Sequence, residues 1–298
     1  MRWLDLTDRR RGTLLGGGGV ILLSMDSLIT EAADASAWDV AFWVGLWSAI
    51  ALLGVAAILA PRPWARSRME PPNRRLRPAM LASGACQTIS GIAFIVAVKE
   101  TEIPNVVVII AMAPAAAAIV ARLVLGEAIT ARVWTAIALA FAGVAVVFAG
   151  SVSAGGIGGE LAAVVAVLAF ALNLTIWRRH RDLSRSAAIG LGGLGMALVT
   201  AVPAQIVGLD ARTMVLLVVM GGVSGPLARV GLASATRHLT AAEVSLFTPL
   251  ETFSASLGAW LLFSQRPPTA TWVGGAVVLT AVTVGLWPGE DSPLRTET

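Results

Sequence analysis

Ten long apolar stretches follow one another along the chain, at about 13–33, 38–60, 79–98, 103–126, 131–150, 157–177, 187–208, 213–236, 240–264 and 269–287. Each approaches or reaches the roughly 20 residues that carry a helix across a ~30 Å hydrocarbon core. Only 13% of the residues are charged and 56% are hydrophobic, whereas charge in a soluble domain runs near a quarter. The composition therefore predicts an all-α integral membrane protein with ten transmembrane helices.

A sequence pI near 10.8 could point to a nucleic-acid partner, but the basic residues fall in alternate loops. Seventeen of the 22 lie on one predicted side: Arg2, Arg9–Arg11, the six arginines of 62–77, Arg132, Arg178, Arg179, Arg181, Arg185, Arg237 and Arg295. Lys99, Arg212 and Arg266 lie on the other, and Arg122 and Arg229 fall within spans. Positive residues are retained on the cytoplasmic side during insertion. The basicity thus encodes a topology with both termini inside, and no nucleic acid is expected. Arg9-Arg10-Arg11 before an apolar run also resembles a signal peptide with a cleavage site at 35–37. Asp26 inside that run argues against it.

The chain also repeats itself. At a constant shift of 138 residues, Gly84 falls on Gly222, Val106 on Val244, Ala121 on Ala259, Trp134 on Trp272 and Val144 on Val282, and basic Lys99 falls on basic Arg237. Five spans per half is an odd number, so the second half enters from the opposite face. The expected organisation is a tail 1–12, a first five-helix repeat 13–150, an inverted second repeat 157–287 and a tail 288–298. Inverted repeats place a binding site near the bilayer midplane and expose it alternately to either side.

Polar residues inside the spans are then the informative ones. Asp26 stands alone in the first, after Gly16–Gly19, whose expected role is close packing against a neighbouring helix. Glu31, Asp34 and Asp39 read as a solvated acidic loop, and Trp38, Trp64, Trp177 and Trp287 as headgroup anchors. Trp43 and Trp47 share a deeper helical face, Gln87 sits at mid-depth in the third span, and Pro104 and Pro114 predict a kink in the fourth. Asn173 lies about a turn from the end of the sixth span. In the eighth, Gly221, Gly225 and Arg229 form one stripe, with Pro226 expected to bend the helix. At 1.5 Å per residue Arg229 is roughly 12 Å deep, and Glu251 in the ninth span about 16 Å.

The run APAAAAIVARLVLGEAIT (113–130), with twelve residues between Pro114 and Glu127, and the second-half run PLETFSASLGAWLLFSQRPPTATWVGG (249–275) resemble the EamA family of the drug/metabolite transporter superfamily. Gln265 stands where the second Glu is usual, Thr252 where a Pro is common, and Val44 where relatives often carry Arg. The resemblance implies ten helices, cytoplasmic termini, a central cavity and commonly the export of amino acids or related metabolites.

The functional expectation is an inner-membrane secondary carrier, exporting a small polar or zwitterionic metabolite by alternating access, with protons as a candidate coupling ion. Its substrate site is expected to draw on Asp26, Trp43, Gln87, Asn173, Arg229 and Glu251. Buried ionisable groups are costly in lipid and by default mark such pathways. Arg229 and Glu251 at similar depth also fit a structural ion pair. The competing reading is a non-transporting membrane subunit or lipid-handling protein whose polar core only packs. His180 and His238 lack metal-ligand spacing and Cys86 is alone, so neither an enzyme, a metal nor a cofactor is expected. The protein's partners are the lipid bilayer and its small-molecule substrate, and it functions as a monomer or a homodimer.

Overall fold

The computed structural model describes residues 2–58, 76–100, 109–110, 112–126, 128–148, 157–205, 208–248, 250–251, 254, 261 and 269–286. The described residues include eleven α-helices: α1 Arg2–Ala32, α2 Ala37–Ile58, α3 Leu76–Glu100, α4 Ala113–Leu125, α5 Ala131–Phe148, α6 Ile157–Arg179, α7 Arg185–Thr200, α8 Ala211–Val219, α9 Gly225–Ala235, α10 Ala241–Ser245 and α11 Thr269–Leu286. A π-helical turn, Met220–Ser224, joins α8 to α9. Each of the ten predicted apolar stretches overlaps at least one of these helices, the ninth only through the short α10, and no strand occurs among the described residues.

Among the described residues, five helical segments are long and apolar enough to cross a membrane: Asp8–Thr30, Ala37–Val55, Pro78–Glu100, Gly158–Arg179 and Ala211–Ala235. Ala113–Leu125 and Arg185–Thr200 are shorter apolar helices. Large apolar side chains such as Leu14, Ile21, Leu81, Leu123, Leu198, Val215 and Leu227 are exposed on their outer faces. Those surfaces are stable only against hydrocarbon, and the protein is an all-α, multi-pass membrane protein.

The ends of two helices have local causes. The α4 helix begins at Ala113 with Pro114 in its first turn, where the missing N–H costs no intrahelical bond. Pro114 therefore starts α4, after helical residues 109–110 and a turn at Met112. The same helix ends at Gly126, whose φ of 71° is left-handed and whose N–H bonds to the Arg122 carbonyl, a conformation that favours glycine. The α7 helix stops at Thr200, eight residues short of the predicted end, and turns through 201–204 around Pro203.

Helix pairing follows a regular scheme. The most extensive contacts join α2 to α7, α5 to α11, α3 to α6 and α1 to α9, followed by α3 to α7 and α4 to α6. Glycines set the close crossings. A Cβ on Gly45 would lie 2.7 Å from the Gly193 carbonyl, and one on Gly193 2.7 Å from the Gly45 carbonyl, so α2 and α7 meet backbone to backbone. Gly16 and Gly19 of the α1 run pack as expected, whereas Gly18 faces open space. Gly16 lies under the Phe247 ring, and a Cβ on Gly19 would lie 2.8 Å from the Ala228 carbonyl of α9.

Three residues expected at the surface are buried. Asp39 is only 4% exposed. It accepts from the Ser36 N–H and hydroxyl and, at 2.5 Å, from the Gln205 N–H, so it ties the α1–α2 connection to the segment after α7. Trp177 is 2% exposed and points into the bundle instead of anchoring in headgroups. Arg185, counted among the loop cations, is 4% exposed. Its guanidinium donates to the carbonyls of Trp177 (3.1 Å), Leu183 (2.8 Å), Ala233 (3.5 Å) and Arg181. It thereby satisfies carbonyls near the ends of α6 and α9 that lack helical partners. Burial first, and then repulsion from Arg237 and Arg181 against attraction to Asp182, lowers its pKa to about 10.

Candidate functional site

The π-helical turn follows from sequence. Pro226 has no N–H to offer the carbonyl four residues earlier, and the Gly225 N–H bonds to the Met220 carbonyl, five residues back. Such single π turns release backbone from the regular ladder and recur at functional positions. Gly221 sits against Val44 and Trp47 of α2, while Ser224, on the next turn, faces α1.

Asp26 of α1 meets this turn. It is 3% exposed; its Oδ1 accepts from the Ser224 hydroxyl at 3.3 Å, and its Oδ2 lies 3.1 Å from Arg229 Nη2. Arg229 originates on α9, more than a turn further along than Ser224, and its guanidinium reaches Asp26 by running back over Gly225. A Cβ on Gly225 would collide with Arg229 Nη1 and lie 3.4 Å from Asp26 Oδ2. The glycine leaves the space through which the two charges meet. An unpartnered carboxylate at this depth would cost several kcal/mol, and the arginine offsets that cost without closing the site, because its side chain remains 21% exposed.

A second polar cluster lies between α3 and α6. The Trp177 indole N–H donates to Ser83 Oγ (2.8 Å), the Ser83 hydroxyl to Asn173 Oδ1 (2.7 Å) and the Asn173 amide to Gln87 Oε1 (3.1 Å). Asn173 is 1% exposed and Gln87 is half-buried. The two clusters occupy comparable places in the pairing scheme, α1 with α9 and α6 with α3, yet one is ionic and the other neutral.

The expected site residues thus fall into groups. Asp26 and Arg229 are in contact, as are Gln87 and Asn173. Trp43 stacks on Trp47 with ring centroids 6.3 Å apart and packs edge-on to Phe42. Both indole N–H groups are buried without a hydrogen-bond acceptor. Glu251, half-buried, lies in the short helical piece after α10. The signature residue Glu127 and the departures at Thr252 and Gln265 lie outside the described residues, as does Pro104. Sequence reading missed Ser83, Trp177 and Ser224. The shared depth of Ser83 and Gln87 on one helical face was the available signal.

A third polar contact holds the start of α1. Arg9 Nη2 is 2.5 Å from Glu243 Oε1, and His238 Nδ1 is 3.6 Å from Asp8 Oδ1. The other Glu243 oxygen closes a capping box with Thr240 at the start of α10, a geometry that satisfies two free N–H groups. Gly12 lies against His238 and Leu239. One end of α1 is therefore clasped to the α9–α10 connection.

Residues 11–149 match the sequence profile of the EamA-like transporter family. No curated protein matches the chain. A solved crystal structure superposes with a TM-score of 0.76, covering 93% of this chain and 97% of the other at 14% identity. At that identity the likeness concerns the fold alone.

Proposed function

Residues 11–149 belong to the EamA-like transporter family, which makes this a membrane protein of the drug/metabolite transporter type, and from that premise we propose a ten-helix secondary carrier built of two inverted repeats. It exports a small polar or zwitterionic metabolite from the cytoplasm across an inner membrane, with both termini cytoplasmic. The pairing of α1 with α9 and α6 with α3, and of α2 with α7 and α5 with α11, supports a duplicated bundle.

The observation that carries the reading is the Asp26–Arg229 pair at a π-helical turn. Its chemistry suits exchange. A substrate carboxylate competes with Asp26 for the guanidinium, a substrate ammonium competes with Arg229 for the carboxylate, and a proton on Asp26 frees Arg229. Any of the three changes the charge balance between α1 and α9, which gives alternating access a handle.

Proteoliposomes loaded with the twenty 14C-labelled amino acids, with and without a pH gradient, test this. The expected result is efflux of one or a few of them, lost in Asp26→Asn and Arg229→Gln. Absence of efflux from well-folded wild-type protein would favour a packing role for the pair in a non-transporting subunit.

A further inference from the structure

The hydrogen bonds between α3 and α6 run in one direction. An indole N–H can only donate, so the Ser83 oxygen must accept from Trp177. The single hydroxyl proton of Ser83 then goes to Asn173 Oδ1, which turns the Asn173 amide nitrogen toward Gln87 and fixes Gln87 Oε1 as the acceptor. What remains at the end of the chain is the Gln87 Nε2 amide with two N–H donors, and among the described residues it donates to none. Ser83, Asn173 and Trp177 are buried, whereas Gln87 is partly exposed. Its stem is held as well, since a Cβ on Gly192 of α7 would lie 2.5 Å from Gln87 Cβ.

Depth gives this orientation its meaning. Gln87 stands nine residues from the start and thirteen from the end of the Pro78–Glu100 span, about 13 and 20 Å along the helix. Two unmet donors facing hydrocarbon there would be costly, so an accessible amide at that depth opens onto a polar cavity. We propose that Gln87 contacts the transported molecule as a hydrogen-bond donor. Trp177, Ser83 and Asn173 are positioning residues that hold it donor-outward, and the substrate presents a carboxylate or carbonyl oxygen to it. The inference rests on the carrier reading above and adds a second recognition point, on the opposite repeat from Arg229.

The test uses full-length protein in proteoliposomes and, as probe, whichever of the twenty 14C-labelled amino acids the wild type moves fastest. Gln87→Glu replaces the donors with acceptors at constant size. Asn173→Asp removes the donor that fixes Gln87, so the glutamine turns its nitrogen inward and its oxygen outward. Each is expected to raise the apparent KM about tenfold, as loss of a hydrogen bond to a charged group does, with Vmax within twofold. Gln87→Met combined with Asn173→Asp is expected to be no worse than Gln87→Met alone. Ser83→Ala, which removes the hydroxyl that orients Asn173, should also raise KM. Gln87→Met makes the same test without adding a charge and serves if either acidic variant folds poorly. A KM within twofold of wild type for Gln87→Met, Gln87→Glu and Asn173→Asp overturns the assignment. Failure of the wild type to move any of the twenty overturns the carrier reading for amino acids, and this proposal with it.

Discussion

The guanidinium of Arg229 lies over Gly225, in the volume that any larger residue at that position would occupy. Gly225→Ala should therefore displace Arg229 from Asp26, and since its Cβ would also lie 2.6 Å from the Met220 carbonyl it should strain the π-helical turn as well. Efflux of the transported amino acid should fall at least tenfold. Gly222→Ala, whose added methyl would meet only Trp47 at 4.0 Å, should transport as wild type. Parallel flux assays on the two variants decide whether the effect belongs to position 225 or to glycine in this helix generally.

Breaking the pair from either side leaves a charge without its partner. Asp26→Asn and Arg229→Gln should each lower the unfolding free energy in detergent, by about 3 kcal/mol if the pair behaves as a buried one, and less to the extent that Arg229 is solvated. The double variant should recover part of the loss, since neither charge is then left alone. Tryptophan-fluorescence melts of the three proteins provide the comparison, and strict additivity would mean that the two residues act independently.

The clasp at the start of α1 should be specific in charge. Arg9→Glu places like charges together at Glu243 and should loosen that end of the bundle, and Arg9→Glu with Glu243→Arg should restore it. In a Cys86→Ala background, Leu239→Cys reports the opening. Leu239 is fully buried, so its labelling by a membrane-impermeant maleimide should be slow in the parent, several-fold faster with Arg9→Glu, and slow again in the swap.

Asp39 carries a prediction about stability alone. Its carboxylate collects three hydrogen bonds from Ser36 and Gln205, and hydrogen bonds to a charged group contribute about 1.5–3 kcal/mol. Asp39→Ala should lower the melting temperature by several degrees, and Asp39→Asn, which keeps one acceptor, by less. Transport by the surviving folded fraction should be unchanged.

Hydropathy made the helices legible, because in lipid a long apolar run has one structural solution. The glycines of α1 were also readable as packing surfaces, and they meet Phe247 and α9 in that way. The partner of each polar group was not readable. Depth along a helix constrains Arg229 in one dimension only, and which neighbour meets it depends on rotation about the helix axis, which the π-helical turn alters. Trp177 and Arg185 were misplaced for a related reason. Position near a helix end places a residue at the interface, but the surface of a bundle has an inside as well as an outside. Asp39 shows the same limit in a loop, where composition distinguishes a solvated carboxylate poorly from one that organises the backbone around it.

The glycines at positions 12, 16 and 19 leave α1 with a smooth flank along much of its contact with the second half of the chain. A flank without side chains lets Phe247, Leu239 and the Ala228 carbonyl approach closely, but it offers no polar group to hold them. The helix is instead fastened ionically at two points, Arg9 and Asp26, about 25 Å apart along its axis. The two ion pairs therefore tie α1 to the second half of the chain near its start and again in its buried stretch, so that loss of either leaves the helix held at one place only.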